Sequence, residues 1–261
     1  MSGDILVVYK KNFEEVHDRS LDAVRRVLDE LVGERGLNVG YTARETVRRA
    51  DFVEPDLVIV LGGDGTLTSI AHSVDENTPV MGVNSHPRVE GNGGSYGFFM
   101  GSDPSTFSED VRSALDGKAI VNVLPRLQAE IETTSGNVIR CDPALNDLLV
   151  ANTHQYQPSK YRLQRGGIDS RQHSSGCLFS TFVGQGAWFR HVANIEGAEF
   201  HQARLTTTTC TWQGTCLVLT GQQTVRTGSG SVSRPLSPAT CTGGTWSATV
   251  GTRRTSPGEP P

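Results

Sequence analysis

The stretch DLVIVLGGDGT occupies residues 56–66 and joins an apolar run to a glycine-rich turn. Residues 57–61 are continuously apolar and rich in β-branched side chains, which is typical of a strand buried on both faces of a parallel sheet. Residues 66–74 then have the pattern of a helix. Because open α/β sheets bind ligands at the carboxyl ends of their strands, this order predicts an α/β fold with a ligand site at the turn.

The rest of the first hundred residues repeats this alternation. Residues 4–9 and 79–83 are short apolar runs that predict two further buried strands. Residues 13–31 carry apolar side chains at helical spacing, and residues 43–49 predict a second, shorter helix. Strands that alternate with helices indicate a parallel sheet covered by helices.

The pattern changes after a helix that is predicted over residues 103–115, with Asp103 as its N-cap. Beyond it, apolar residues recur with the period of about two that strands have. The segment Thr134-Ser135-Gly136-Asn137 is typical of a turn between two such strands. The predicted organisation is an N-terminal Rossmann-like parallel α/β domain over residues 1–103, followed by a β-rich domain over residues 104–205.

Residues 206–261 form an atypical tail. They contain 15 threonines and a single acidic residue, Glu259, and their net charge is +3 against −7 for the 205 residues before them. Their apolar alternation is weak, so this composition predicts a disordered or loosely packed segment. A shift of reading frame in the source gene is an alternative explanation of so abrupt a change.

The bulk composition bounds the function. With 36% hydrophobic and 20% charged residues, the chain of 261 residues is expected to be soluble and globular. A net charge of −4 gives no reason to expect a nucleic-acid partner. No segment reaches the roughly 18 apolar residues of a membrane span, and the N-terminus lacks the pattern of a signal peptide, so a cytoplasmic location is expected.

Metal-binding motifs are not evident in the sequence. The five cysteines contain no C-x-x-C pair, which indicates neither a disulfide framework nor a zinc site. Five histidines are also not at ligand spacing, and structural or surface roles are expected for them: His86, His154, His173, His191 and His201.

The glycine turn itself has a definite chemical interpretation. Glycines let the backbone approach a phosphate closely and adopt positive φ, and the start of the following helix favours an anion. A carboxylate such as Asp64 is unfavourable beside phosphates unless it ligates Mg²⁺ or takes a proton from an attacking hydroxyl. The plain alternative is an ordinary tight turn in which Asp64 caps the helix through Thr66 or Leu67.

Four segments together resemble one enzyme family. Gly62-Gly63-Asp64-Gly65-Thr66 is similar to the turn shared by NAD kinases, diacylglycerol kinases and sphingosine kinases. Three further segments resemble NAD kinases in particular, with Asp in place of the usual Glu in the second: Gly82-Val83-Asn84, Ala144-Leu145-Asn146-Asp147, and Ser174–Trp188. The Ser174-Ser175-Gly176 entry of the last segment and the stretch Ser159–Leu163 are similar to the divergent branch that includes mitochondrial NAD kinases.

The resemblance implies a fold, a reaction and a set of site residues. The fold is the α/β domain followed by a C-terminal β-sandwich, with the substrate between them. The reaction transfers the γ-phosphoryl group of ATP to the adenosine 2′-hydroxyl of NAD and gives NADP. The phosphates hold Mg²⁺ or another divalent cation, which Asp64 could also ligate.

The resemblance also implies roles for individual residues. Asp64 would activate or orient the hydroxyl. The phosphate and nucleotide contacts are Gly62, Gly63, Gly65, Thr66 and Asn84. The NAD contacts are Asn146, Asp147, Thr181, Gly184, Ala187 and Trp188. A homo-oligomer is also implied.

Two alternatives stay open at this point. Gln185 and Gly186 stand where the family has a serine and a residue with a side chain, and Phe182 replaces a smaller residue. These departures are compatible with a non-catalytic or damaged dinucleotide-binding relative. A diacylglycerol or sphingoid-type lipid kinase shares the glycine turn, but the sequence shows no basic amphipathic helix for membrane contact.

Overall fold

The structure, a computed structural model, describes most of the first 189 residues and two later strands. The described residues are 3–11, 14–90, 93–154, 156–165 and 168–189, with the backbone of 215–220 and 248–249. They fall into two compact units. The first unit contains the described residues up to Arg126, Asp142–Leu145 and the strand at 215–220; the second contains Leu127–Cys141, the described residues from Asn146 to 189 and the strand at 248–249.

Thirteen strands and three α-helices make up the regular structure of the described residues. The strands are β1 (Asp4–Tyr9), β2 (Asn38–Ala43), β3 (Leu57–Gly62), β4 (Pro79–Asn84), β5 (Ile120–Pro125), β6 (Glu130–Glu132), β7 (Val138–Arg140), β8 (Asp147–Val150), β9 (Ser159–Arg165), β10 (Ile168–Ser174), β11 (Cys177–Ser180), β12 (Thr215–Thr220) and β13 (Ala248–Thr249). The helices are α1 (Glu15–Arg35), α2 (Asp64–Ile70) and α3 (Phe107–Leu115), and short 3₁₀ helices lie at Arg49–Phe52 and Val183–Gly186.

The first unit is built on a six-stranded sheet of order β2-β1-β3-β4-β12-β5. Its neighbours are parallel except for β12 and β5, which are antiparallel. Gly62 of β3 pairs with Asn84 of β4, and Leu61 pairs with Tyr9 of β1. The carboxyl ends of β1, β3 and β4 therefore meet at one edge of the sheet.

The core of this unit lies between the sheet and α1. All six residues of β3 are buried, as expected for a strand covered on both faces. The buried side of α1 carries Leu21, Val24, Leu28 and Leu31, which belong to the same apolar cluster as Ile59 of β3. Burying one such side chain contributes about 1.5–3 kcal/mol, so this contact anchors the residues that lead into the glycine turn.

The helix predicted over residues 43–49 is wrong. Residues 38–43 form β2, an edge strand whose Ala43 pairs with Tyr9 of β1, and a turn and the 3₁₀ helix follow. Phe52, at the end of that 3₁₀ helix, is fully buried. Arg44 N donates to Tyr9 O of β1, and Thr46 N and Val47 N both donate to Ala43 O, so the backbone groups after β2 are satisfied in a turn and not in a continuous helix.

Two predicted boundaries also differ from those of the structure. Helix α3 begins at Phe107 and not at Asp103, because the Asp103 carboxylate accepts hydrogen bonds from the N–H groups of Ser105 and Thr106 in a turn that precedes the helix. The first unit continues to Arg126, beyond the predicted domain boundary at residue 103, because β5 joins the main sheet through β12.

The second unit contains three small antiparallel sheets, of order β10-β9-β13, β11-β8 and β6-β7. A hairpin joins β6 to β7 through residues 133–137, where a turn is predicted. The predicted fold class, a parallel α/β domain followed by antiparallel strands, is confirmed. Among the described residues, no helix has both the length and the apolar character that crossing a bilayer requires. Apart from β12 and β13, the predicted tail lies outside the described residues.

Candidate active site

Asp64 stands at the point where the buried strand β3 gives way to α2. Gly63 is extended, with φ −123° and ψ −175°, and Asp64 is the first residue of the helix. Its side chain is half-buried. The register of the sheet places this turn beside the end of β4, where Ser85 N donates a hydrogen bond to Gly62 O at 2.9 Å.

The Asp64 carboxylate is held by the loop that follows β4 and not by its own helix. Asp64 Oδ2 accepts from Ser95 Oγ at 3.2 Å and from Gly97 N at 3.0 Å, and Oδ1 accepts from Phe99 N at 2.8 Å. The alternative of a helix cap made by this carboxylate is therefore wrong. A carboxylate has about four lone-pair positions, so three donors fix its orientation and leave about one position for a ligand.

Asn84 positions the same loop. It is 7% exposed, its Nδ2 donates to Ser95 O at 3.2 Å, and its Oδ1 accepts from His86 N at 3.2 Å. Both ends of the amide are thus engaged by backbone groups of the segment that contacts Asp64. Its predicted contact with the nucleotide stays a prediction, and the structure adds a positioning role.

The first two glycines of the turn are required by close packing. A Cβ on Gly62 would lie 2.3 Å from Thr66 Oγ1, and one on Gly63 would lie 2.7 Å from Ser95 Cβ. None of Gly62, Gly63 and Gly65 adopts the positive φ that the sequence suggested. Gly65 has nothing within 4 Å of its Cβ position and is exposed. Thr66 is 2% exposed and accepts a hydrogen bond from Gly63 N at 3.4 Å.

The residues that hold Asp64 were missed by sequence reasoning. Ser95, Gly97 and Phe99 lie more than 30 positions from Asp64 and form no motif with it. The sequence feature that could have identified them is the glycine-rich segment between β4 and α3. In the structure, Gly94 and Gly97 of this segment have φ of +107° and +70°. Left-handed glycines after a buried strand at the ligand-binding edge mark a loop of fixed shape.

We expect Gly97→Ala to lower the free energy of unfolding by about 1–2 kcal/mol. Its φ is left-handed, which costs a residue with a Cβ roughly that amount, and the added Cβ would lie 2.7 Å from Asn84 Nδ2. Gly93→Ala is the matched control in the same loop, because Gly93 has no positive φ and nothing lies within 4 Å of its Cβ position. Urea denaturation of both variants measures the difference, and equal stability would contradict the assigned loop geometry.

A second group of predicted residues comes together in the second unit, where β8 pairs with β11. Asn146 O accepts from Thr181 N at 2.9 Å, and Gly184 N donates to Thr181 Oγ1 at 2.9 Å. A Cβ on Gly184 would lie 2.2 Å from Asn146 O, so only glycine fits there. The Asn-Asp pair and the segment 181–184 therefore form one packed cluster, although 34 residues separate them in sequence.

This cluster presents two polar atoms that the protein does not satisfy. Asn146 Oδ1 and Asp147 Oδ1 are buried, and neither has a hydrogen-bond partner among the described residues. An unpaired buried acceptor is costly, which makes such atoms candidates for contact with a ligand that carries donors. The adenine side of the predicted site is more open: Trp188 is 51% exposed and Phe182 is 78% exposed, so Phe182 does not fill a pocket within this unit.

Burial raises the pKa of the Asp147 carboxyl above its usual range, and a contact with the Ser180 hydroxyl lowers it by less. A raised pKa means that the folded state binds this proton more tightly than the unfolded chain does. Ionisation of Asp147 therefore destabilises the folded protein as the pH rises from the usual Asp range through the raised value.

We expect Asp147→Asn to raise the thermal midpoint relative to the wild type at pH 8, because the amide removes this buried charge. The difference between the two midpoints should shrink as the pH falls below the usual Asp range, where both side chains are neutral. Thermal melts from pH 3 to pH 8 measure it. A difference that does not depend on pH would show that Asp147 is not destabilised by burial.

Comparison with known proteins shows what the first of these clusters is similar to. Residues 6–118 match the family model of the ATP-NAD kinase N-terminal domain. The α/β domain of this chain is similar to the N-terminal domain of NAD kinases. The match spans β1 to the end of α3 and includes the turn at Asp64, Asn84 and the loop that binds the Asp64 carboxylate.

Curated NAD kinases are similar over a longer stretch. The chain is 30% identical over 181 residues to the NAD kinase of Pseudomonas fluorescens (strain SBW25), a match that covers 64% of this chain and 58% of that protein. It is 32% identical over 153 residues to the NAD kinase of Acinetobacter baylyi, covering 58% of this chain and 47% of that one. The chain thus spans about half the length of these NAD kinases.

Solved NAD kinase structures share the fold. An NAD kinase from Archaeoglobus fulgidus, in complex with ATP, aligns with a TM-score of 0.51 and 17% identity and covers 84% of this chain and 72% of that chain. Yeast NADH kinase, complexed with NADH, aligns with a TM-score of 0.53 and 15% identity and covers 72% of this chain and 60% of that chain. At these identities the likeness concerns the two-domain NAD kinase fold.

Proposed function

We propose that this protein is an NAD kinase, which transfers the γ-phosphoryl group of ATP to the adenosine 2′-hydroxyl of NAD and gives NADP. The observation that carries the proposal is the Asp64 carboxylate, which three donors orient at the carboxyl end of β3 with about one acceptor position left. In this reaction that position receives the hydroxyl. The match of residues 6–118 to the N-terminal domain model of ATP-NAD kinases supports the assignment.

Asp64 acts on the hydroxyl in two ways. It orients the oxygen toward the phosphoryl group, and it accepts the hydroxyl proton as the oxygen attacks. Phosphoryl transfer depends mainly on positioning and on neutralisation of charge, so one fixed carboxylate is enough protein chemistry for the step. The tight packing of Gly62 against Thr66 and of Gly63 against Ser95 fixes the backbone of the turn to which we assign the phosphates.

The divalent cation fits this arrangement as a partner of ATP. Mg²⁺ is usually bound through substrate phosphates and one or two carboxylates, and it neutralises the charge of the phosphates when it is bound. The single free position of Asp64 serves either a hydroxyl or a cation. We therefore assign Mg²⁺ to the ATP phosphates and the free position of Asp64 to the hydroxyl.

The buried acceptors of the second unit suit recognition of the substrate NAD. Asn146 Oδ1 and Asp147 Oδ1 need donors, and adenosine offers its ribose hydroxyls and its amino group. A site built to hydrogen-bond such groups rejects analogues that lack them, because its buried polar atoms are then left unpaired. We assign recognition of the NAD adenosine to this pair, with Thr181 and Gly184 holding the pair in place.

Purified protein with NAD, ATP and Mg²⁺ tests the proposal when NADP is measured by a dehydrogenase specific for that product. The expected result is formation of NADP that requires all three components. A parallel assay with radiolabelled ATP and diacylglycerol or sphingosine tests the lipid kinase alternative. Calorimetry that shows NAD binding without turnover would instead favour a non-catalytic relative. Failure to bind either NAD or ATP would contradict both the NAD kinase proposal and the non-catalytic alternative.

The family resemblance also implies a homo-oligomer in the cytoplasm, and we include both in the proposal. Light scattering coupled to gel filtration measures the first: a mass near 28.1 kDa, that of one chain, would contradict it.

A further inference from the structure

Three possible metal ligands meet beside the glycine turn, although the sequence showed no ligand spacing. They are Glu14, which immediately precedes α1, His17 in the first turn of α1, and His86 just after β4. One ligand atom from each lies within 4.8 Å of the other two. His17 Nε2 is 3.2 Å from Glu14 Oε2, and His86 Nδ1 is 3.9 Å from the same oxygen.

His17 is held in the orientation that a metal ligand needs. Its side chain is 6% exposed, and its Nδ1 is 2.6 Å from Ser85 Oγ, which leaves Nε2 to face Glu14. Ser85 is itself fixed, because its carbonyl oxygen accepts from Ser20 Oγ at 2.8 Å. Histidines that bind metals almost always use their second nitrogen in this way, and the partner sets the tautomer and the ring orientation.

The Lys10 ammonium competes with a metal ion for His17, because Lys10 Nζ lies 3.4 Å from His17 Nε2. An incoming cation has to displace it, which the flexible four-carbon stem of lysine permits.

We propose that Glu14, His17 and His86 form a binding site for a divalent transition-metal ion, with Zn²⁺ as the ion that fits best. Two imidazoles and one carboxylate are the three protein ligands of a well-known class of zinc site that keeps a fourth position open. The two distances that end at Glu14 Oε2, 3.2 and 3.9 Å, are close to the edges of a coordination shell whose bonds are about 2.0–2.2 Å long, and the two histidine nitrogens lie within 4.8 Å of each other. The Mg²⁺ of the proposed kinase reaction prefers oxygen ligands and is a different ion at a different place.

The site would join two elements that border the proposed active site. His86 N bonds to Asn84 Oδ1, and His86 O accepts from Ser95 N at 2.9 Å, so His86 belongs to the loop that positions Asp64. A bound ion would tie this loop to the start of α1 and would add positive charge at the same edge of the sheet.

Calorimetric titration of the metal-free protein with Zn²⁺ alone tests the proposal. We expect one equivalent to bind and the thermal midpoint to rise with it. His86→Ala and Glu14→Gln change exposed or half-exposed side chains and should leave the protein folded, whereas His17 is buried. Each should weaken Zn²⁺ binding by more than about 100-fold, because even changes behind the ligands cost about 10–100-fold. His72→Ala removes an exposed histidine of the same unit and should bind as the wild type does.

Lys10→Met should change the affinity for Zn²⁺ in the opposite direction to the ligand variants. It removes the competing ammonium and should tighten Zn²⁺ binding, whereas a merely structural ion pair network would give no such gain. Three results would each overturn the proposal. The first is that the wild type does not bind Zn²⁺, and the second is that His86→Ala and Glu14→Gln bind it as tightly as the wild type does. The third is that Lys10→Met binds Zn²⁺ no more tightly than the wild type. Because the readout is metal binding, the test is independent of whether NADP is formed.

Discussion

Replacing Asp64 by Asn is expected to lower the rate of NADP formation by about 10²–10⁴-fold, the usual contribution of a positioned general base. The amide cannot accept the hydroxyl proton. It also turns an NH₂ group toward one of the donors on Ser95, Gly97 and Phe99, so the loop loses a hydrogen bond. The loss should fall on kcat, with the affinity for ATP changed much less. Initial rates at saturating NAD and ATP measure it.

A matched control separates chemistry from folding. Asp22→Asn changes an exposed aspartate on α1 and should leave the rate and the thermal midpoint unchanged. If Asp64→Asn keeps the circular dichroism spectrum of the wild type and loses activity, the defect is chemical. Full activity in Asp64→Asn would remove Asp64 from the mechanism, whatever else the fold preserves.

The second large effect is expected at Gly184. An alanine there would place its Cβ 2.2 Å from the backbone oxygen of Asn146, which cannot move without breaking its bond to Thr181 N. We expect Gly184→Ala to lower the free energy of unfolding by about 3 kcal/mol, the upper part of the range for overpacking, because the clash is with backbone. Affinity for NAD should fall as well, since the substitution displaces the Asn146-Asp147 pair.

Gly186→Ala is the control for this change. It lies two residues further along the same 3₁₀ helix, and nothing is within 4 Å of its Cβ position. Its stability should equal that of the wild type or exceed it by up to about 1 kcal/mol, because the unfolded chain loses entropy. Urea denaturation and calorimetry with NAD measure both variants. If Gly184→Ala and Gly186→Ala changed the affinity for NAD equally, the packed cluster around Asn146 would not be needed for NAD binding.

The sequence was informative where local pattern and burial agree. Residues 57–61 are apolar without interruption because both faces of β3 are covered, so the central strand and the turn after it were predictable. The place of Asp64 at the end of this strand was predictable for the same reason, whereas its catalytic role stays a prediction. Both inferences needed only neighbours in the chain.

Contacts between distant segments were not predictable in this way. The donors that hold Asp64 lie 31 to 35 residues away, and the distance from His17 to Ser85 is 68 residues. Neither set has a spacing rule, because the sheet brings the segments together. The strand β12 is a similar case: its four apolar residues, 216–219, stand in a tail whose composition argues against a core, and it pairs between β4 and β5. The helix predicted at 43–49 failed partly for the same reason, since Ala43 pairs with Tyr9 of β1 and Arg44 N donates to Tyr9 O.

Phosphorus NMR of the reaction mixture tests the central claim most directly, because it shows where the phosphoryl group of ATP arrives. With NAD, ATP and Mg²⁺ we predict a new phosphomonoester resonance at the adenosine 2′ position, growing as ADP forms, and none with Asp64→Asn over the same time. ATP that is converted to ADP and free phosphate while NAD stays unmodified would contradict the account.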